Sequence, residues 1–428
     1  MDRGATAGDG TTIDDGPPAA DGSGTGGRRI LGLDPNVVVA GLVSFFMDVS
    51  SEMIYPLVPL FLASVLGVNK ATIGLIEGVA ETTASILKLG SGWLSDRLGR
   101  RKLLMGLGYG ISAASRPFLA VATSWEQVLF ARFTDRFGKG VRTAPRDAIV
   151  ADSSAPSALG RSFGFHRAMD QFGAVVGPAV AFLLLWARPG AYREVFWISM
   201  VPAVIAVLLV VFFIHERRRP RAATAPPRSG TGSEGLGLRQ RLHRLRGPLL
   251  AYVLITGLFS LGNSSDAFLI LRAQNLGVTA TLIPLLYNVF NLVYSGLSIP
   301  MGLLADRVGR RRVMVGGYLF FAGVYAGMAL AGRAGTVWAL FALYGVYMGI
   351  SDGNGRALLA ELSPGDKRAT AFGVYHAVIG MAALPASIIA GVLWDRVSPA
   401  APFWLGAAGA LLAAVLLTVF VPEPRAAA

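Results

Sequence analysis

The amino-acid sequence predicts an all-α membrane protein with twelve transmembrane helices in two pseudo-symmetric six-helix bundles. Three observations lead there: a composition too apolar for a water-soluble fold, apolar runs of spanning length divided six and six, and an internal repeat. Of 428 residues, 53% are hydrophobic and only 15% charged, against roughly 25% charged in soluble domains, and mean hydropathy is +0.54. Many runs reach the ~20 residues that cross ~30 Å of hydrocarbon at ~1.5 Å per residue. A β-barrel would show alternating segments of roughly 10 residues instead.

Residues 1–34 are rich in Gly, Asp, Ala, Ser and Thr. Such a segment buries too little apolar surface to offset chain entropy and reads as a disordered cytoplasmic tail. It has no apolar stretch of the secretory type, so the first hydrophobic helix is expected to direct insertion. An N-terminal bundle over 35–215 holds spans at about 37–66, 70–94, 103–122, 125–151, 162–187 and 192–214, with boundaries good to a few residues. A basic linker, 216–247, carries nine arginines from Arg217 to Arg246 among prolines, glycines and serines. A C-terminal bundle over 248–422 follows, with spans at about 249–274, 279–303, 313–332, 336–361, 369–394 and 402–421, then a short tail, 423–428. The loops 97–102 and 307–312 are also basic, whereas 122–127 and 397–402 are nearly neutral. The positive-inside rule therefore predicts a multi-pass protein of the inner cell membrane with both termini cytoplasmic.

The net charge of +13 lies mostly in these loops and the linker, where helix orientation explains it better than nucleic-acid binding does. The absence of cysteine excludes disulfides and thiolate chemistry. The four histidines lack metal-ligand spacing, so neither a metal site nor a cofactor is expected. Gly106, Gly108 and Gly110 lie inside a span with no preceding strand or Walker lysine, and are packing rather than a nucleotide loop. No nucleophile elbow or catalytic triad appears, so the chain is not read as an enzyme.

The halves repeat. Gly92, Asp96, Arg97, Gly99, Arg100 and Arg101 recur in the same spacing as Gly302, Asp306, Arg307, Gly309, Arg310 and Arg311, and Ser50-Ser51-Glu52 recurs as Ser264-Ser265-Asp266. A parallel repeat of this kind implies two bundles related by an axis along the membrane normal, with a cavity between them near mid-membrane. Both copies fit G-x-x-x-D-R-x-G-R-R, and on that motif the chain resembles the major facilitator superfamily over about 37–421. The resemblance implies that family's fold and its alternating-access transport of a small solute, with the lipid bilayer and a small molecule as partners and a monomer as the default state. The signature residues are expected to form a cytoplasmic gate: the glycines allow close helix approach, and Asp96 and Asp306 accept from a neighbouring helix start. Setting topology alone is the plainer role for the arginines.

The fourth span carries Arg132, Asp135, Arg136, Lys139, Arg142, Arg146 and Asp147 within an arc of roughly 140°, a single face that must meet water or partners. Arg132 and Arg136 are expected at the cavity, and Arg142 and Arg146 at the gate or surface; pairing within the bundle is the structural alternative. Asp48, Glu52 and Tyr55 share a face of the first span, and Glu77 and Glu81 share one on the second. Asp48 and Glu52 lead as proton sites, with Asp266 next, although each also suits permanent pairing with arginine. On the fifth span Gly164, Gly173, Gly177 and Pro178 reproduce the first part of a motif similar to that of proton-driven efflux members, but Ala181 and Phe182 depart from it. His166 and Asp170 lie one turn apart on the same face. In the second half Asn263, Asp266, Asn291, Asp352, Arg356 and His376 interrupt apolar spans. Asn291, the counterpart of Glu81, leaves proton chemistry concentrated in the first half and solute contacts in the second. The expected activity is proton-coupled efflux of a small organic solute; uptake of an anionic solute or metal chelate, and a non-transporting sensor or scaffold, are the alternatives.

Overall fold

A computed structural model describes residues 30–423 apart from 31, 99, 156–157, 217–246 and 364–367. The expected N-terminal tail is therefore almost wholly outside the described residues, as are nearly all of the basic linker, the end of the C-terminal tail, Gly99, and the side chains of Gly92 and Asp96. The described residues form twelve spans and no strand. In chain order they are α1 (Pro35–Val65), α2 (Lys70–Leu98), α3 (Arg101–Val121), α4 (Trp125–Asp152), α5 (Leu159–Ala187), α6 (Tyr192–Phe213), α7 (Pro248–Asn275), α8 (Ile283–Val308), α9 (Arg310–Leu330), α10 (Ala334–Leu362), α11 (Arg368–Arg396) and α12 (Ala401–Phe420).

Two spans are broken, and they are the first of each half. α1 starts cleanly, with Pro35 in its first turn and the Asp34 carboxylate accepting from the Asn36 N–H at 2.9 Å, the usual way of satisfying a helix start. It yields after Ile54, where Pro56 and Pro59 withhold N–H donors, and finishes as a short helical turn and a π-helical turn over Phe61–Val65. α7 breaks over residues 263–266, between Pro248–Gly262 and Ala267–Asn275. Non-helical backbone at membrane depth is tolerated where it is buried in protein or lines a cavity, and this break contains Asn263 and Asp266.

Nine of the spans are long and apolar enough to cross a membrane on length and composition alone. The other three, α2, α3 and α4, carry a dense set of charges, and Glu77, Glu81, Arg116, Arg132, Asp135 and Arg136 among them pair with one another inside the N-terminal bundle. Lipid-facing surface is conventional: Trp186, Trp197, Phe212, Leu411 and Val419 are all exposed. Trp394, near the end of α11, is by contrast buried against Phe268 and Phe403.

Within the first half, α1 packs on α5 and α6, and α4 on α2 and α3; within the second, α8 packs on α10, and α9 and α7 on α12. The halves meet chiefly through α2 with α11 and α5 with α8. The loops 97–102 and 307–312 mark a basic end of the molecule, and 122–127 and 397–402 a neutral end. At the neutral end the halves are sealed. Asp395 accepts from the Lys70 and Ala71 N–H groups at 3.2 and 2.8 Å, capping α2 from the opposite bundle. A methyl at Gly74 or Gly391 would overlap backbone of the facing helix, and Gly78 abuts Leu384. The contact continues inward to Thr82, whose hydroxyl donates to the Gly380 carbonyl at 2.7 Å.

Candidate functional site

Charges on α2, α3 and α4 form a buried network. Arg132 donates through Nε and Nη2 to the two oxygens of Glu77, and both side chains are nearly inaccessible. Arg136 Nη2 lies 3.0 Å from Glu81, whose side chain is 42% exposed. Asp135 is held by Arg116 at 3.2 Å and Arg136 at 3.6 Å. Arg116 also donates to the Ser50 and Ser51 hydroxyls, at 3.1 and 2.9 Å. The guanidiniums of Arg132 and Arg136 sit 5.6 and 5.9 Å from the centre of the Tyr55 ring, within cation–π range. A void of about 10 Å³ is lined by Glu52, Tyr55, Arg116, Asp135 and Arg136, close to the least space that holds one water.

This arrangement revises the division of the fourth-span arginines. Arg132, expected at the cavity, lines the small void as Arg136 does and is also paired with Glu77. Arg142, expected at the gate or surface, is buried, donates to the Ser112 hydroxyl, and lies over the Tyr109 ring at 4.5 Å. Close α3–α4 approach explains it: Gly108 and Gly138 bring the two backbones into contact. Arg146 pairs with Asp147 at 2.9 Å and donates to Ser44. Arg116 escaped the sequence reading, although one arginine in an otherwise apolar run is itself a signal.

Asp48 and Glu52 differ from the other acids of this bundle. Among the described residues neither has an ion-pair partner, and Glu52 Oε2 is buried with no hydrogen-bond partner. The α5 glycines place them there: a methyl at Gly173 would stand 3.0 Å from the Asp48 Cβ and 2.7 Å from the Phe45 carbonyl, and one at Gly177 would stand 2.9 Å from the Glu52 Cβ. Pro178 is buried beside them. Gly164, expected to pack likewise, faces open space. His166 and Asp170 are brought together at 3.6 Å, His166 Nε2 lies 2.8 Å from the Ser44 hydroxyl, and Asp170 Oδ1 is buried without a partner.

Across the molecular centre, the Tyr55 and Tyr287 rings lie 5.5 Å apart. Asn291 donates to the Ala174 carbonyl at 2.9 Å and so joins the bundles. Asp266 accepts from Tyr344 at 2.7 Å, and Asn263 from Tyr325 at 3.2 Å. In the basic-end half of the C-terminal bundle, a cavity of about 280 Å³ is lined by residues that include Asn263, Asp352, Arg356 and His376. Asp352 Oδ2 receives Arg356 and the Tyr294 hydroxyl, each at 2.7 Å, and lies 3.7 Å from Arg167 of α5. This bridge ties the bundles toward the basic end. It joins residues on three helices of different halves, a relation that spacing along the chain does not encode.

The signature residues tie helices of their own bundle. Arg101 pairs with Asp152, and Arg310 bridges Asp306 at 2.9 Å and Glu361 at 2.8 Å. Arg311 reaches the last carbonyls of α12 and lies 3.9 Å from Glu423. Arg97, Arg100 and Arg307 are exposed. Asp306 thus meets an arginine side chain rather than a helix start, and Gly302 faces open space instead of a close helix. Gly309 has φ +103 at the end of α8, a conformation that favours glycine, and so makes the tight turn into α9.

The model of the Major Facilitator Superfamily matches residues 40–272 and 252–428. An uncharacterised MFS-type transporter of Methanocaldococcus jannaschii is 35% identical over 391 residues, covering 90% of this chain and 94% of its own. The multidrug resistance protein MdtH of Aeromonas hydrophila is 23% identical over 411 residues, covering 94% and 97%. Among solved structures, a POT family transporter in complex with 5-aminolevulinic acid superposes with a TM-score of 0.75 at 12% identity, covering 93% of this chain and 98% of that one, a likeness of fold. With twelve spans, a twofold-repeated architecture and a family match over nearly all the described residues, the chain belongs to the major facilitator superfamily and is a multi-pass membrane transporter.

Proposed function

We propose that the protein exports a small organic solute by proton-coupled antiport, alternating between states open at the basic and neutral ends. The observation that carries this reading is the contrast within one bundle. Glu77, Glu81 and Asp135 are each ion-paired to arginine, whereas Asp48 and Glu52 on α1 have no cation within ion-pairing distance among the described residues. A carboxyl group in that setting can gain or lose a proton without first breaking a salt bridge, which suits a coupling site. The α5 glycines that press on Asp48 and Glu52 belong to the efflux-type motif, and the relative named for multidrug resistance adds support for export. The basic end is assigned to the cytoplasm by the positive-inside rule, which sets the protein in the cell membrane with its termini inside.

A second reading, proton-coupled uptake of an anionic solute, is favoured by the two arginines that share Asp352. Reconstituted vesicles with an imposed pH gradient separate the two. Solute accumulation on the acidic side, abolished by a protonophore, supports antiport. Accumulation on the alkaline side supports symport, and solute movement indifferent to the gradient contradicts both.

A further inference from the structure

The cavity in the C-terminal bundle has a chemistry that narrows its occupant; the inference rests on the transport reading above. Its polar floor is a row on α7, Thr256, Ser260 and Asn263. The two hydroxyls donate to carbonyls one turn back, at 2.9 and 2.8 Å. One wall is aromatic: Phe259 and Tyr318, buried and stacked on each other at 4.5 Å, back it, and the half-buried Tyr375 ring, nearly parallel to Tyr252 at 6.1 Å and 12°, lines it. Flat ring faces favour a flat partner.

At the other wall Arg356 pairs with Asp352, and the Arg167 guanidinium of α5 approaches the same carboxylate from outside the cavity lining. Arg356 donates through Nε to the Asp352 carbonyl and through Nη2 to Asp352 Oδ2, while its Nη1 has no acceptor among the described residues. The same Oδ2 already receives Tyr294 and faces Arg167. Two guanidiniums, which stay charged at any ordinary pH, thus share one carboxylate. The guanidinium fork pairs bidentately with planar carboxylates, and the Arg356 side chain is 45% exposed, so an incoming anion meets an accessible donor. The His376 ring beside Tyr375 is exposed and has no hydrogen-bond partner among the described residues.

We propose that this cavity binds a compact, planar organic carboxylate, its ring system against Tyr375 and its carboxylate on Arg356. The volume of about 280 Å³ falls near the lower bound for small-molecule sites, which limits the cargo to roughly one fused bicyclic ring with its acid group. A flexible fatty acid would match the charge but lose more freedom on binding.

Titration calorimetry on the full chain in lipid nanodiscs tests this with 2-naphthoate, its isosteres 2-naphthalenemethanol and 2-naphthylmethylamine, and decanoate. Naphthoate is expected to bind at least tenfold more tightly than the other three. Arg356→Gln should reduce naphthoate to the affinity of the alcohol while leaving the alcohol unchanged, which also reports that the pocket is folded. Arg312→Gln, at the surface, should change neither. An amine or decanoate that binds as tightly as naphthoate, or no saturable naphthoate binding, overturns the proposal. Naphthoate binding without solute-linked proton flux would instead contradict the transport reading and leave the site standing; flux with a different cargo would do the reverse.

Discussion

Glu77 and Arg132 are both almost inaccessible and pair through two hydrogen bonds. Removing one partner strands a charge in a medium that solvates it poorly, at a cost of about 3–5 kcal/mol, whereas replacing both by apolar groups often costs little. Arg132→Met should therefore lower the thermal midpoint of the purified protein sharply. The double variant Glu77→Leu/Arg132→Met should recover most of the loss. Asp48 and Glu52 have no such partner, so Asp48→Asn and Glu52→Gln should melt within a few degrees of the parent, which separates a coupling role from a structural one. Sequence spacing was enough to place Glu77 and Glu81 opposite the fourth-span arginines, because charges in hydrocarbon have few alternatives to pairing. It did not say which arginine takes which acid, since helix rotation and the glycine-mediated approach of α3 to α4 decide that Arg142 is buried. Arg116, lone in an apolar run, was legible in principle and passed over.

At the scale of elements, the two ends of the inter-bundle contact differ in kind. The neutral end is closed by backbone against backbone at Gly74 and Gly391 and by the Asp395 cap on α2. The Arg167–Asp352 tie toward the basic end is a long, half-exposed ion pair, worth on the order of 1 kcal/mol or less. Gly74→Val should wedge α2 from α11 and shift the population toward the neutral-end-open state. Because the chain lacks cysteine, a single Ser387→Cys, buried between these helices, reports this directly: a membrane-impermeant thiol reagent should label it several-fold faster in the Gly74→Val background. Unchanged labelling would contradict the seal. Arg167→Gln should leave the thermal midpoint nearly unaltered yet broaden the distance distribution between spin labels at Phe163→Cys and Leu303→Cys, at the basic ends of α5 and α8. Nine of the twelve spans stand out by apolar length alone and the charged α2, α3 and α4 do not, while the break in α7 was passed over. The break falls on Gly262-Asn263-Ser264-Ser265-Asp266, a cluster of turn-favouring residues, and Tyr325 and Tyr344 hold Asn263 and Asp266 there.

For the whole molecule, the repeat predicted two bundles, and the structure shows why they are unequal. Paired acids and bases fill the first bundle, while tyrosines and the larger cavity occupy the second. Glu52 and Asp266 are repeat-related, but only Asp266 has a tyrosine hydroxyl to hold it. Proton and cargo would then act on different halves, and coupling would pass through the contacts that join them, Tyr55 with Tyr287 and Asn291 with Ala174. Basic charge should set the orientation: a cysteine at Ser229, in the linker, should be labelled by an impermeant reagent in inside-out vesicles and protected in intact cells.

The central claim is that a solute and a proton exchange across the membrane through the unpaired acids of α1. The direct measurement is solute-triggered collapse of a pH gradient in proteoliposomes loaded with a pH dye, comparing the parent with Asp48→Asn and Glu52→Gln at equal reconstitution. The account predicts flux in the parent and at least tenfold less in one or both variants, with solute binding retained. Full flux in both variants would contradict the assignment of the proton to α1.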